Sequence, residues 1–176
     1  AWVMLDFAMS QIGVLNVPLY PTISAREYEY ILRESEAQYC VVGDGDLFEK
    51  VQTAKQNLPG LKEIFAFDRH PQIRNWESLL APEPADGGYK FSEVEQIKAG
   101  IRPEAVMTLV YTSGTTGNPK GVMLNHTNII FNIEALRAML PCQPGDRSLG
   151  FLPVSHLFAR VAIYAYTAFG ASVSFT

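Results

Sequence analysis

Blocks of apolar residues at helical spacing alternate along the chain with shorter apolar runs of strand type. The helical spacing predicts helices over residues 1–13, 24–36, 47–58, 92–100, 126–140 and 157–169. The shorter runs, rich in β-branched and aromatic residues, predict strands over residues 14–20, 39–42, 61–67, 105–110, 122–124, 148–152 and 171–176. Since strands and helices alternate, the pattern predicts an α/β fold with a mostly parallel, multi-stranded sheet flanked by helices.

Local signals mark two helix starts and one irregular segment. Ser24 and Glu27 form a Ser-x-x-Glu capping box, and Ser92 and Glu95 form a second one. Between them, residues 68–89 are dense in proline, glycine and charge, with room for one helical turn. We interpret this segment as a surface excursion from the domain.

Composition and charge narrow the classes of function. The chain of 176 residues is 48% hydrophobic and 18% charged, which is typical of a globular protein. Its formal net charge is −4 and it has no long basic run, which argues against nucleic acid as a partner. The longest apolar stretch, residues 161–175, is shorter than the roughly 20 residues that a membrane-spanning helix needs. Two cysteines are too few for a disulfide framework or a zinc site.

A run of small polar residues is the most informative feature of the chain. Residues 112–117 are all threonine, serine or glycine, and they lie between the predicted strand over 105–110 and the sequence Pro119, Lys120, Gly121. Such a loop offers free backbone amides, hydroxyl groups and close backbone approach at its glycines, while Lys120 adds a positive charge. This chemistry suits a polyphosphate group. The alternative is a flexible hairpin loop without a ligand.

The loop does not match the Walker A pattern of Gly, four residues, then Gly-Lys-Ser/Thr. Counting from Gly114, Pro119 stands where the second glycine should be, and Gly121 stands where Ser or Thr should follow the lysine. The loop also leads into a predicted strand, whereas a helix N-terminus would add its own attraction for phosphate. Hydroxyls, backbone amides and Lys120 are therefore the groups that we expect to hold the phosphates.

Three segments of the sequence resemble a known family. Residues 111–121, YTSGTTGNPKG, are similar to the phosphate-binding signature of the adenylate-forming (AMP-binding) superfamily, which includes acyl-CoA synthetases, luciferases and peptide-synthetase adenylation domains. Residues 13–22 resemble the segment that precedes the first crossover helix of that family. Residues 152–160, LPVSHLFAR, resemble the acyl-pocket segment of long-chain fatty acyl-CoA synthetases. Ala159 stands where those enzymes usually carry Glu, and Asn125 where they carry Thr or Ser.

The resemblance implies roles for the loop and for one histidine. The implied ATP-binding residues are Thr112, Ser113, Gly114, Thr115, Thr116, Gly117 and Lys120. Thr115 is the implied Mg²⁺ ligand. Lys120 and His156 are the implied catalytic residues: Lys120 offsets the phosphate charge, and His156 orients the acyl carboxylate or gates its tunnel.

His156 also has a position that the residues alone make notable. It follows the predicted strand over 148–152, as Ser113 follows the strand over 105–110. Because ligands bind at the carboxyl ends of strands in open α/β sheets, we expect the loop and His156 at the same sheet edge. Without the resemblance, a histidine at a strand-to-helix junction is more often a helix cap or a core residue.

The activity that the resemblance implies is that of a long-chain fatty acid–CoA ligase. ATP activates the fatty acid as an acyl-adenylate, and coenzyme A then takes the acyl group as a thioester. ATP, Mg²⁺ and coenzyme A are the implied cofactors and co-substrates, and a fatty acid is the implied partner. On this interpretation residues 1–176 are a partial N-terminal AMP-binding domain, without its C-terminal half or a lid domain, and are inactive alone.

Three alternatives stay open from the sequence. The chain could belong to an aryl or amino-acid adenylating enzyme of the same superfamily. It could also be a noncatalytic nucleotide-binding module, or an interaction domain whose Gly/Thr loop is only flexible. The predicted location is the cytoplasm, with peripheral association with a membrane left open, and the sequence does not define an oligomeric state.

Overall fold

The computed structural model describes residues 1–80, 91–112 and 117–175. Its helices are α1 (Trp2–Gln11), α2 (Ala25–Glu34), α3 (Gly45–Lys55), α4 (Phe91–Ala99), α5 (His126–Met139) and α6 (Leu157–Ala168), with a 3₁₀ helix over Trp76–Leu79. Its strands are β1 (Tyr39–Val42), β2 (Glu63–Ala66), β3 (Arg74–Asn75), β4 (Val106–Thr112), β5 (Lys120–Asn125), β6 (Arg147–Gly150) and β7 (Ser172–Phe175). Within the described ranges, no helix combines the length and the apolar character needed to cross a membrane.

In the described residues the strands form three groups, two of which are parallel. β1, β2 and β3 form a parallel sheet, β6 pairs with β7 in parallel, and β4 pairs with β5 antiparallel. α3 connects β1 to β2, and α6 connects β6 to β7, as the crossovers between parallel strands require. The predicted α/β fold is confirmed. The antiparallel pair arises because residues 113–119, the only link from β4 to β5, are too few for a crossover.

The capping box at Ser24 is confirmed, whereas the one at Ser92 is wrong. Ser24 Oγ accepts a hydrogen bond from the N–H of Glu27 at 3.2 Å, and the N–H of Ser24 donates to Glu27 Oε2 at 2.8 Å. Ser24 has the extended backbone of an N-cap, with φ −74° and ψ 160°. α4 already includes Phe91, so Ser92 lies inside that helix and cannot stand before it as a cap.

Residues 14–20, predicted as a strand, form only a single bridge to β4. The N–H of Asn16 donates to the Met107 carbonyl at 3.1 Å, and the Asn16 carbonyl accepts from the N–H of Leu109 at 3.0 Å. Pro18 has no N–H with which to continue this pairing, so the bridge does not grow into a strand.

The segment 68–89 contributes to the core as well as to the surface. β3 adds a third strand to β1 and β2, and Ile73 beside it is buried. Ile73 is the only apolar residue between positions 68 and 75, so its burial draws this part of the chain inward. The 3₁₀ helix over Trp76–Leu79 is the helical turn that the sequence predicts. Residues 81–90 lie outside the described residues.

Within the part of the chain that the structure describes, buried apolar side chains form two clusters. The first core, between β1, β2, α2 and α3, consists of Tyr28, Leu32, Val42, Val51, Ala54, Leu58, Leu61, Ile64, Ala66 and Ile73. The second core, between β4, α5 and α6, consists of Met107, Ile129, Val161 and Tyr164. The second core supports the strand that leads to the predicted phosphate loop, so it is the one that positions the candidate site.

Candidate functional site

The β4–β5 hairpin carries the predicted phosphate loop. Thr112 and Lys120 are its last paired residues and are direct cross-strand partners. Both are exposed, and Gly117 in the loop has a φ of +104°, a conformation that favours glycine. The other predicted ATP-binding residues, which lie outside the described residues, are Ser113, Gly114, Thr115 and Thr116. The structure therefore places Thr112 and Lys120, which flank the loop, side by side.

A close approach of the Tyr111 ring favours glycine at position 121. Gly121 is the cross-strand partner of Tyr111, next to the pair formed by Thr112 and Lys120. A Cβ atom on Gly121 would lie 3.0 Å from Cζ and 3.3 Å from the hydroxyl oxygen of Tyr111, closer than ordinary van der Waals contact. The Tyr111 ring therefore packs directly on the backbone beside Lys120.

The Tyr111 side chain also lies near α2. Its hydroxyl is close to the carboxylate of Glu34 in the last turn of α2, and the Tyr30 hydroxyl, one turn earlier, is close to the same carboxylate. Burial and the nearby Glu34 carboxylate raise the pKa of Tyr111 to about 12. The hydroxyl at the base of the loop therefore stays protonated at neutral and moderately alkaline pH.

A cleft of 370 Å³ lies between α2 and the end of the loop. Arg26 and Arg33 line it from α2, and residues 117–119 line it from the loop. Arg33 is paired with Glu29 at 2.6 Å, and Glu29 also lines the cleft. The walls of the cleft thus carry both signs of charge next to the predicted phosphate loop.

His156 is the N-cap of α6. Its Nδ1 accepts a hydrogen bond from the N–H of Phe158 at 3.2 Å, which confirms the interpretation of this histidine as a helix cap. The residue is exposed. Since Nδ1 is used by the helix, Nε2 is the ring nitrogen that can meet a ligand.

The prediction that His156 and the loop lie at the same edge of one sheet is wrong in the described residues. The strand before His156, β6, pairs with β7, while β4 pairs with β5 in a separate sheet. One edge of β4 is paired with the antiparallel β5 and the other meets Asn16 in a parallel bridge, so β4 does not pair with β6 in the described residues. α6 and β4 are connected in another way, through buried polar side chains.

A buried ion pair joins α1 to α6. Arg160 donates to Asp6 through two nitrogens, from Nη2 to Oδ1 at 2.7 Å and from Nε to Oδ2 at 3.2 Å. The side chains are 1% and 2% exposed, respectively. Such a two-pronged pair fixes orientation as well as distance, because both oxygens of the carboxylate must meet the planar guanidinium.

Further bonds extend this pair into a network. Arg160 Nη1 donates to Thr108 Oγ1 at 2.9 Å, and Nη2 donates to the Tyr164 hydroxyl at 3.0 Å. The Tyr164 hydroxyl donates to Asp6, and Asn16 Nδ2 donates to the same carboxylate at 2.6 Å. In the described part of the chain, no buried side-chain nitrogen or oxygen lacks a hydrogen-bond partner. We call Asp6, Asn16, Thr108, Arg160 and Tyr164 the Arg160 network.

The sequence analysis missed this network, although it carries a sequence signal. Asp6 is the only charged residue in α1, and Arg160 is the only charged residue in α6. A lone charge in an otherwise apolar helix is either exposed or paired when it is buried. Two such helices with opposite charges therefore predict a buried pair between them.

A family model that matches the chain identifies its class of protein. The family model described as AMP-binding enzyme matches residues 1–176. The chain belongs to the AMP-binding enzyme family.

Particular relatives refine this assignment. The long-chain-fatty-acid–CoA ligase FadD15 of Mycobacterium bovis is 32% identical over 180 residues, which cover 99% of this chain and 29% of that protein. The anthranilate CoA ligase AuaEII, solved in complex with anthranoyl-AMP, superposes with a TM-score of 0.76 at 22% identity over 99% of this chain and 33% of that one. The N-terminal domain of FACL13 from Mycobacterium tuberculosis superposes with a TM-score of 0.73 at 17% identity over 99% of this chain and 41% of that one. The chain thus spans less than a third of the length of the FadD15 ligase. The AuaEII and FACL13 structures share the fold of this chain.

Proposed function

We propose that this chain is the N-terminal part of an ATP-dependent long-chain fatty acid–CoA ligase. The observation that carries the proposal is the hairpin of an AMP-binding family chain in which Lys120 stands across from Thr112 beside a Gly/Thr loop. The similarity to the FadD15 ligase supports the fatty acid as substrate class. Residues 1–176 are then a partial AMP-binding domain, whose C-terminal half and lid lie elsewhere in the full-length protein.

The proposed reaction has two half-reactions. An oxygen of the fatty acid carboxylate attacks the α-phosphorus of ATP, and the bond to the bridging oxygen breaks to release pyrophosphate. The thiol of coenzyme A then loses its proton and attacks the acyl carbonyl, which releases AMP. Substrates provide both nucleophiles, so the protein contributes positioning and charge compensation.

Lys120 and the loop are proposed to hold the leaving phosphates. Negative charge builds up on pyrophosphate as its bond to the α-phosphorus breaks, and a fixed cation beside the loop stabilises that charge. The ammonium of Lys120 would supply this cation, and the hydroxyl of Thr112 would donate to a phosphate oxygen. The roles proposed for Ser113, Gly114, Thr115 and Thr116 follow from the resemblance alone.

Magnesium is proposed as the ion that accompanies ATP. The hydroxyl and phosphate oxygens that the loop would bring together are the hard ligands that Mg²⁺ prefers, and such ions are usually held by substrate phosphates with one or two protein groups. Thr115 is the proposed protein ligand. When bound, the ion would offset phosphate charge together with Lys120.

His156 is proposed to border the acyl carboxylate. Because Nδ1 accepts from the N–H of Phe158, the ring is held at the start of α6. Nε2 is then the ring nitrogen that can contact a ligand. In this tautomer Nε2 carries the proton and can donate to a carboxylate oxygen.

A pyrophosphate-exchange assay with ATP and palmitate tests the proposal on the full-length protein. We expect exchange that depends on palmitate, and we expect Lys120→Ala to lower it ~10-fold or more, equivalent to about 1.4 kcal/mol of transition-state stabilisation. Lys98→Ala is the control, because Lys98 is an exposed lysine on α4 whose partner, Glu95, lies on the same helix. Equal activity of the two variants would refute the role of Lys120.

The same assay separates the alternatives. Exchange with anthranilate or an amino acid but not with palmitate would favour another adenylating enzyme of the family. ATP binding without exchange for any carboxylate would favour a nucleotide-binding module. Residues 1–176 alone should give no exchange above the blank, and exchange from them would contradict the proposed division of the domain.

A further inference from the structure

One buried arginine joins the two halves of the proposed site. Arg160 lies one helical turn after His156 in α6, and its N–H donates to the His156 carbonyl at 3.2 Å. Its guanidinium donates to Thr108 at 2.9 Å, and Thr108 lies on the strand that ends at Thr112. A single side chain therefore connects the helix that begins after His156 with the strand that leads into the loop.

Every nitrogen of the Arg160 side chain has a fixed partner. Nε and Nη2 donate to Asp6, and Nη1 donates to Thr108, which is fully buried. Thr108 in turn donates to the Asn16 carbonyl at 2.8 Å, and Asn16 is bonded to β4 on both sides of Thr108. Because the guanidinium is planar, a rotation of Arg160 would break at least one buried hydrogen bond.

Stability alone does not account for a charged network at this place. A buried ion pair loses much of its attraction to desolvation, and apolar residues of similar volume are often as stable or more so. Apolar contacts are not directional, however, whereas the forked bonds of Arg160 accept only one arrangement of α1, β4 and α6.

We infer that Arg160 is a positioning residue of the proposed ligase: held by Asp6 and Thr108, it sets the separation between the His156 end of α6 and the Thr112 end of β4. The inference rests on the proposed function, in which the acyl carboxylate lies near His156 and ATP lies on the loop. A displacement of about 1 Å between reacting groups is enough to lower a rate by about 100-fold. Because Arg160 is buried, it acts on the reaction through β4 and α6.

The experiment compares two buried substitutions in the full-length protein. Thr108→Val keeps the shape of the side chain and the ion pair but removes the hydrogen bonds of the Thr108 hydroxyl to Arg160 and to the Asn16 carbonyl. Val51→Ala is the matched control, because Val51 is fully buried and belongs to the first core, which contains no member of the Arg160 network. Palmitate-dependent pyrophosphate exchange is measured at a temperature at which circular dichroism shows both variants to be folded, and rates are given per folded molecule.

A positioning role predicts a specific loss of kcat. We expect Thr108→Val to lower kcat ~10-fold or more while the KM values for ATP and palmitate change by less than about threefold, since binding is retained and alignment is lost. Val51→Ala should keep the wild-type kcat. Equal kcat values for the two variants would overturn the inference.

Arg160→Lys provides a second, independent test. Lysine keeps the charge opposite Asp6 but has a single nitrogen, so it cannot bond Asp6 and Thr108 with the geometry of the fork. A folded Arg160→Lys protein with reduced kcat and nearly unchanged KM values would support positioning, and wild-type kcat would overturn it. A wild-type protein without carboxylate-dependent exchange would overturn the proposed function first, and this inference with it.

Discussion

The two cores of the molecule are held together by different interactions. The first core is apolar throughout, apart from the Tyr28 hydroxyl, which donates to the Tyr20 carbonyl at 2.9 Å. The second core has a smaller apolar cluster and lies beside the Arg160 network. Burial of apolar surface is not directional, whereas charge-assisted hydrogen bonds are. The core that supports the candidate site is thus the one in which geometry is specified most closely.

The cores also differ in how far apart in sequence their members lie. The first core is assembled from residues 28–73, whereas the Arg160 network joins residues 6 and 16 to residues 108 and 160. The first core is therefore a local unit, and the second depends on contacts across most of the chain. The following substitutions test this difference, from the largest expected effect to the smallest.

Asp6→Ala should have the largest effect on stability. It leaves Arg160 buried without its counter-charge, which typically costs about 3–5 kcal/mol of the free energy of unfolding. Urea unfolding measures this loss. The double variant Asp6→Leu with Arg160→Met should recover most of it, since neither charge then remains; a loss below about 1 kcal/mol for Asp6→Ala would contradict the burial of the pair.

Gly121→Ala should have the next largest effect on stability. The added Cβ would lie 3.0 Å from Tyr111 Cζ, so the hairpin or the ring must shift, at a cost of about 1–3 kcal/mol. Gly60→Ala is the control at the edge of the first core, because its Cβ would meet no atom within 4 Å. Thermal unfolding of both variants measures the contrast, and equal melting temperatures would show that position 121 has room for a side chain.

Ser24→Ala should have a moderate effect on the free energy of unfolding. It removes the Ser24 hydroxyl that accepts from the N–H of Glu27 at the start of α2, which typically costs about 1 kcal/mol. Ser92→Ala is its matched control, because Ser92 has the same sequence signature but lies inside α4. We expect the control to change the free energy of unfolding by less than about 0.5 kcal/mol. A similar loss in both variants would mean that both serines are caps.

The titration of two tyrosines should have the smallest effect on stability. Burial is the largest cause that raises the pKa of Tyr28 to about 12, and burial with the Glu34 carboxylate raises the pKa of Tyr111 to about 12. Because both pKa values are higher in the folded state than the ordinary 10, the stabilisation is complete below pH 10 and is lost as the pH rises to 12. Ultraviolet titration of Glu34→Gln should show a lower pKa for Tyr111 and no change for Tyr28; a drop in both would point to a global change.

Local signals in the sequence were sufficient to predict the first core. The alternation of helices and strands over residues 24–67 was predicted with small errors at the ends, and β1 matches its predicted range of 39–42. The capping box at Ser24 depends on residues three positions apart, which a sequence shows directly. Periodicity and caps are local, so a region built from neighbouring elements can be predicted from them.

Two features of the site region could not be predicted in this way. The bridge at Asn16 depends on where β4 lies, and Pro18, which limits it, does not show which strand it meets. The lone charges of α1 and α6 indicate buried partners, but Asp6 and Arg160 are 154 positions apart, and no local pattern shows that their two helices meet. For the loop itself, Lys120 and Thr112 were predicted as parts of one site, and the structure makes them cross-strand partners; their roles in binding and catalysis stay predictions.

The long sequence separation between Asp6 and Arg160 has a consequence for the order of folding. During synthesis, residues 28–73 are complete early and can assemble the first core while the rest of the chain is still being made. Asp6, in contrast, has no counter-charge until residue 160 has been added. Thr108 likewise has no hydrogen bond from the Arg160 guanidinium until then. Closing so long a loop slows folding more than it weakens the final state. The hairpin that carries the loop is therefore expected to reach its final setting only after residue 160 has joined α6 to β4.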